Sequence, residues 1–273
     1  MKKNYYLFSV DVEDPRDYIP NGYQYREAVT ENILRYLSWL SSKNYKATFF
    51  VVGRTADALP DIVKEICRQG HEIAAHSYYH VPITKQTPSE FKKDLEKNIE
   101  ALIKCGISNV VGYRAPTFSL IEPVKWAYKE LSGSGIQYSS SVLPAANPLF
   151  GWKDFGKEKY VDGVYEIPLN IGAFPFQVPV GGGVYFRCLP IQVIRSYFRK
   201  AASLGATVPG YFHSYDIDTK QEKNFMMPNM PNKFLNSIMF MNRSKVFKKL
   251  DKVMEMGFEI IRYDEYFKLK TTI

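Results

Sequence analysis

Apolar positions along this chain follow two alternating periods. Tyr5 to Val12 is rich in β-forming residues and predicts a buried strand. Residues 26–43 then place Val29, Ile33, Leu34, Leu37 and Leu40 on one helical stripe. Lys46 to Gly53 reads as a second buried strand, and Leu59 to Gln69 as a helix that Gly70 ends as a C′ glycine. The segment from His71 supplies a third strand and ends in His76-Ser77-Tyr78-Tyr79-His80. Pro88 opens a helix with Phe91, Leu95, Ile99 and Leu102 on one face. Val110 to Arg114, Glu122 to Leu131 and Ile136 to Val142 continue as strand, helix, strand. Such alternation at short spacing predicts an α/β fold with a parallel sheet or barrel.

The pattern breaks between Pro144 and Arg187, where glycines and prolines crowd short apolar runs; an irregular insertion near 144–187 is expected. Within it, Gly181-Gly182-Gly183 has neither a phosphate-loop lysine nor dinucleotide-binding spacing. It reads as a loop approached by a ligand or by another backbone, or as a bare turn. Ile191 to Leu204 is helical, Val208 to His213 a strand, Ser244 to Met256 a helix and Phe258 to Arg262 a final strand. Residues 220–242 read as irregular or as a flap. No repeat, linker or boundary divides residues 1–273, so one domain is expected.

Composition narrows the class without naming it. Hydrophobic residues make up 45% and charged residues 23%, enough for a large core. The formal charge is +8, yet no Lys/Arg run exceeds a pair and no nucleic-acid motif occurs, so nucleic acid is not an expected partner. Cys67, Cys105 and Cys188 form no close pair and read as buried thiols of a reducing compartment. The N-terminus does not read as a signal peptide, and no apolar run is of transmembrane length. A cytoplasmic protein is expected, with peripheral membrane contact left open.

Four polar clusters stand at the C-terminal ends of predicted strands: Asp11/Glu13, His76/His80, Arg114 and His213. Loops at that end build the sites of (β/α) barrels. Carboxylates at the end of an apolar strand are costly unless paired or used. Two imidazoles four apart face one way if the chain coils into a helical turn, and with a carboxylate they make a metal site with open positions. The same histidines could also be surface or capping groups.

The order of these clusters resembles the polysaccharide deacetylase family, carbohydrate esterase family 4, in its subgroup with an Asp-Val-Glu-Asp first motif. The resemblance rests on Ser9–Asp14, His76–His80, Gly112–Pro116, Gly181–Arg187 and Phe212–Asp216, and spans nearly the whole chain. It implies a distorted (β/α) barrel of about seven strands that removes acetyl groups from N-acetylated sugars. It implies one divalent metal, zinc first, with cobalt, nickel or manganese as alternatives. By the same resemblance Asp11 is the base, Arg114 orients it and His213 is the acid, with Asp216 a candidate partner for His213. It also implies that the Thr117 N–H polarises the substrate carbonyl, with Phe118 beside it at the substrate. Gly182 and Tyr185 are expected to border the substrate cleft, through open backbone N–H groups and a ring that can stack on a sugar face.

The first motif has Val12 where the commonest form has a second aspartate. Glu13 is then the expected third ligand beside His76 and His80, with Asp14 an alternative. Ser139 stands where related chains carry an aspartate that helps hold the arginine, which puts the Arg114 tether in doubt. The expected substrate is a cytoplasmic precursor of a surface polysaccharide, nucleotide- or lipid-linked. A small-amide or imide hydrolase on the same fold, and a degenerate carbohydrate-binding relative, are the alternatives.

Overall fold

The computed structural model describes residues 3–146, 150–172, 178–227, 230 and 232–272. In chain order the elements are β1 (Asn4–Leu7), β2 (Ser9–Val12), α1 (Val29–Ser42), β3 (Thr48–Val51), α2 (Gly53–Ala58), α3 (Pro60–Arg68), β4 (Glu72–Ala75), α4 (Pro88–Lys104), β5 (Gly112–Tyr113), α5 (Ala127–Gly133), β6 (Tyr138–Ser139), β7 (Lys159–Val161), β8 (Val164–Glu166), α6 (Gly183–Cys188), α7 (Ile191–Ser203), β9 (Val208–Pro209), β10 (Phe212–His213), α8 (Lys233–Phe240), α9 (Val246–Met254), β11 (Phe258–Ile260) and α10 (Tyr263–Thr271).

The larger sheet runs β10-β2-β3-β4-β5-β6-β8-β7, with every pair parallel except the β7–β8 hairpin. The predicted first strand is two strands, because the chain kinks at Phe8, whose N–H bonds back to the Tyr6 carbonyl at 2.9 Å. Below the kink, β1 belongs to a second sheet, β11-β1-β9. Among the described residues no strand pairing closes β8 onto β9 or β10. That seam carries side-chain bonds instead: Asn170 Nδ2 to the Thr207 carbonyl at 2.6 Å and Tyr6 hydroxyl to the Gly181 carbonyl at 2.6 Å. The result is an α/β fold with an incompletely closed barrel.

Strand periodicity sorts the core into two layers. Phe8, Val10, Val12, Phe49 and Val51 face the helices and meet Ile33, Leu37, Leu40 and Val63. Residues of opposite parity face inward, where Leu7, Phe50, Ala74 and Tyr138 pack with Tyr263 of α10. Two acidic strand residues share this inner face, Asp11 at its C-terminal end and Glu72 at the opposite end. Glu72 of β4 accepts from Thr48 Oγ1 (2.5 Å), Tyr138 hydroxyl (2.6 Å) and the backbone N–H of Asp264 (3.1 Å). Burial, joined by the charge of Asp264, raises its pKa. Thr48 Oγ1 also accepts from the Tyr263 N–H at 2.8 Å, so two strand residues satisfy free donors at the start of α10 and fix it as the barrel floor.

Several expectations change. The segment 144–187 contains the β7–β8 hairpin and α6, and β8 joins the main sheet. Helix α8 occupies 233–240 of the expected flap. Residues 147–149, 173–177, 228, 229 and 231 of these two segments lie outside the described residues. Of the cysteines only Cys105 is buried; Cys67 is exposed and Cys188 half-buried, because α3 turns Cys67 away from its buried stripe of Ile62, Val63 and Ile66. Among the described residues no helix is long and apolar enough to cross a membrane.

Candidate active site

Strand register places the polar clusters on one edge. Val12 pairs with Val51, Val51 with Ala75 and Ala75 with Tyr113, so Glu13, His76 and Arg114 leave the sheet side by side. His213 pairs with Asp11 from the other side. The four sequence clusters therefore meet at one end of the barrel.

Glu13, His76 and His80 each bring one ligand atom within 4.8 Å of the other two. Residues 76–80 do this without a helical turn. His76 continues the strand edge, and the loop then bends through positive φ at Ser77 (63°) and His80 (57°). Non-glycine residues hold that conformation only when their surroundings force it. Here α4 supplies the force. Asp94 accepts from the N–H groups of Tyr78 (2.9 Å) and Tyr79 (3.0 Å), and Asn98 accepts from the His76 N–H (2.8 Å) while donating to the Val51 carbonyl (3.1 Å). Gly53 permits the approach, since a Cβ there would lie 2.4 Å from the Tyr78 ring.

The donor set suits a divalent cation. Glu13 is buried, and its Oε2 lies 2.7 Å from His80 Nε2 yet has no hydrogen bond of acceptable geometry. A buried carboxylate oxygen left this way is costly unless something else binds it. Burial acts to raise the Glu13 pKa, but His80, His213 and His76 outweigh it and the net shift is downward. Burial, joined by His80, lowers the His76 pKa well below the ordinary histidine value, which keeps the imidazole neutral as ligation requires. His76 Nδ1 sits 2.7 Å from the Arg114 carbonyl, which assigns the proton to Nδ1 and turns Nε2 toward the trio. Asp14 points elsewhere: its carboxylate accepts from the Arg16 side chain at 2.6 Å and backbone at 3.0 Å.

Asp11 and Arg114 form a fully buried pair, with Nη1 to Oδ1 at 2.7 Å. The second oxygen of Asp11 lies 3.8 Å from His76 Nε2. Arg114 uses all its donors: Nε to the Ser140 carbonyl, Nη1 to Ser9 Oγ and Asp11, Nη2 to Ser140 Oγ and the Tyr263 hydroxyl, at 2.7–3.4 Å. The guanidinium also lies 4.0 Å from the Phe50 ring centroid. Ser139 takes no part; its hydroxyl bonds Ser141 Oγ at 2.7 Å, so the doubt raised by the missing aspartate does not apply here.

His213 Nδ1 is 3.0 Å from Asp216 Oδ2, and its ring stacks on Tyr215 at 4.8 Å. Burial acts to lower its pKa, but Asp216, with Glu13 and Asp11 beyond, pushes it up to about 9. Asp216 is held well below the usual carboxylate range: burial opposes this, and Arg187 and His213 overcome it, with Arg187 Nε bonding Asp216 Oδ1 at 2.7 Å.

Thr117 is exposed and Phe118 half-buried on a turn with φ of 57° and 55°, and Phe118 packs edge-on against Tyr211 at 5.2 Å. Tyr211 lies between this turn and His213, whose ring centroid is 6.1 Å away. Gly182 meets backbone: a Cβ there would lie 1.8 Å from the Tyr211 carbonyl oxygen. Tyr185 is half-buried on α6.

Sequence reasoning missed Asp94, Asn98, Tyr263, Arg187 and Tyr18. Tyr18 stacks on His80 at 4.7 Å, with its hydroxyl buried and unpartnered among the described residues. Asp94 and Asn98 carried a readable signal, a polar pair four residues apart on the apolar face of a helix. Tyr263 carried none.

Residues 17–134 match the family model for polysaccharide deacetylase, and residues 140–268 match a domain of unknown function (DUF3473). A peptidoglycan-N-acetylglucosamine deacetylase of Bacillus cereus is 34% identical over 100 residues, 34% of this chain and 34% of that protein. Another from Listeria monocytogenes is 36% identical over 66 residues, 24% of this chain and 14% of that protein. The matches thus span 34% or less of the length of these curated relatives. A crystal structure from Mycobacterium smegmatis, of a protein classed with the polysaccharide deacetylases, superposes with a TM-score of 0.66 at 22% identity, covering 97% of this chain and 89% of that one. The matched region, residues 17–134, carries His76, His80 and Arg114 and is a polysaccharide deacetylase domain by that family model, and the fold agrees with the Mycobacterium smegmatis structure over 97% of the chain.

Proposed function

We propose that this protein hydrolyses the N-acetyl group of an N-acetylated sugar, using one divalent metal held by Glu13, His76 and His80, with zinc the first candidate. The observation that carries the reading is the buried, unbonded Glu13 oxygen converging with two imidazoles beside the Asp11–Arg114 pair. When bound, the metal supplies Lewis acidity and lowers the pKa of water in the site.

The chain's own residues supply the rest. Arg114 binds one oxygen of Asp11 and leaves the other facing the trio, placed to take a proton from the attacking water. His213, protonated at neutral pH, stands across the site, and its side chain remains 21% exposed. As the C–N bond breaks it gives its proton to the amine, and acetate is the other product. Asp216 and Arg187 hold the imidazole in orientation. Thr117 and Phe118 line the carbonyl side of the substrate, and Tyr185 its sugar side.

The finer reading is a polysaccharide precursor carried on a nucleotide or lipid, in a reducing compartment. The net charge of +8 and the three unpaired thiols support it. The complete tether of Arg114 supports turnover over a merely sugar-binding role. The test is acetate release from nucleotide- and lipid-linked N-acetylhexosamines after chelation and after adding back Zn²⁺ or Co²⁺. Acetate release that ignores chelation would overturn the metal assignment, and none under any condition would overturn the activity.

A further inference from the structure

Helices in this fold bury their apolar stripe, and α8 does not. Its one buried side chain is polar: Asn236 accepts from the Met227 N–H at 2.8 Å and donates to the Phe225 carbonyl at 2.9 Å. Phe234 is 75% exposed, Leu235 39% and Met241, just past the helix, 48%. Phe234, Ile238 and Met241 recur every three or four residues and so share a stripe. Ten large hydrophobic side chains are exposed among the described residues; Phe234, Leu235 and Met241 fall within eight positions, and the rest are scattered singly. Scattered exposure is ordinary, whereas a cluster marks a contact surface.

Charge gathers on the same segment. Residues 220–252 hold eight Lys or Arg against Glu222 and Asp251, a net +6 within a chain of +8. Lys223, Lys233, Lys245 and Lys248 are exposed and make no ion pair among the described residues. The segment also borders the site. Arg187 Nη1 bonds the carbonyls of Met239 (3.1 Å) and Met241 (2.8 Å), and Met239 and Phe240 pack against the cluster of Tyr215, Phe225 and Met227, whose Tyr215 ring stacks on His213.

We propose that α8 with Met241 docks the protein on an anionic lipid surface. The apolar stripe enters the headgroup boundary and the flanking lysines meet the negative charge. A second copy of this chain fits the surface less well, since it would bring +6 against +6. Docking through α8 brings the His213 side of the site near the bilayer surface, which suits a lipid-linked substrate. The docking itself does not depend on the hydrolytic reading and is measured without substrate.

The experiment is co-sedimentation of the full chain with phosphatidylcholine vesicles, with and without about one-third phosphatidylglycerol, at low and high salt. The parent is expected to bind the anionic vesicles, to bind phosphatidylcholine alone far less, and to release in salt. Phe234→Glu with Leu235→Glu should weaken binding at least tenfold with an unchanged melting temperature, since both side chains are exposed. Replacing Lys233, Lys245 and Lys248 by Gln should weaken it about fivefold per lysine that faces the surface. Absence of binding to anionic vesicles overturns the proposal. So does binding that the Glu pair leaves intact, which would make the attraction charge alone. A dimer in sedimentation velocity that the Glu pair abolishes, without vesicle binding, would give the face to a second copy.

Discussion

On one side of the site, Glu13, His76 and Arg114 leave the ends of β2, β4 and β5 within the parallel sheet, and the buried polar residues of α4 hold the loop between them. On the other, His213 ends the two-residue strand β10, and a charge relay through Asp216 and Arg187 runs out to the exposed helix α8. The first side is a lattice in which each group has fixed partners; the second hangs on a linear chain of contacts through Asp216 and Arg187. Substitutions on the metal side should therefore remove chemistry or metal outright, whereas those on the acid side should retune it.

The largest effect is expected at Asp11, the proposed base. Asp11→Asn keeps the shape but cannot accept a proton, so kcat should fall about 10²–10⁴-fold with metal content unchanged. Metal analysis alongside acetate release checks this, and loss of metal in that variant would make Asp11 a ligand. Asp94→Ala and Asn98→Ala come next. Each frees two backbone groups that set the strained loop, and losing the groups that orient a metal ligand costs about 10–100-fold in metal affinity. Competition titration with a chelator measures it; unchanged affinity would show that the loop holds its own shape.

The acid side should instead shift in pH. The folded pKa of His213 is raised to about 9 from an ordinary 6.5, so its ionic contribution to stability is fully present below about pH 6.5 and is lost as pH rises through about 9. The alkaline limb of kcat should fall near the same value. Asp216→Asn removes the main group holding that proton and should bring the limb down toward about 6.5. A pH–rate profile with an unmoved limb would assign the ionisation to another group. Smallest is Tyr263→Phe, which removes one neutral donor–acceptor partner of Arg114. An intramolecular hydrogen bond is worth about 0.5–1.5 kcal/mol, so kcat should drop roughly tenfold or less while Asp11→Asn remains far worse.

What could be read in the sequence follows the same division. The metal side is written locally: apolar runs end in charged or imidazole groups, and parallel register brings consecutive ends together. The choice of Glu13 over Asp14 follows from strand alternation, with Asp14 drawn off by Arg16. A helical turn is one way to bring His76 and His80 together; periodicity does not reveal the route taken, a loop bonded by Asp94 and Asn98 that bends through left-handed backbone. The supports of both sides are written across distance. Arg187 follows three glycines whose turn-like composition hid the short helix α6, and Tyr263 opens a helix with only a weak apolar stripe. Both act on residues 29 and 149 positions away, a separation no local pattern encodes.

The floor helix also sets an order of events during synthesis. Arg114 can meet Asp11, Ser9 and Ser140 once the first half of the chain exists, but its remaining partner is made 149 residues later. The strand that carries α10 into place, β11, pairs with β1 at the very start. A nascent chain therefore holds the Arg114 guanidinium with one donor idle until α10 docks under the barrel. Trimming from residue 262 onward would leave every motif in place and still return the protein to that unfinished state.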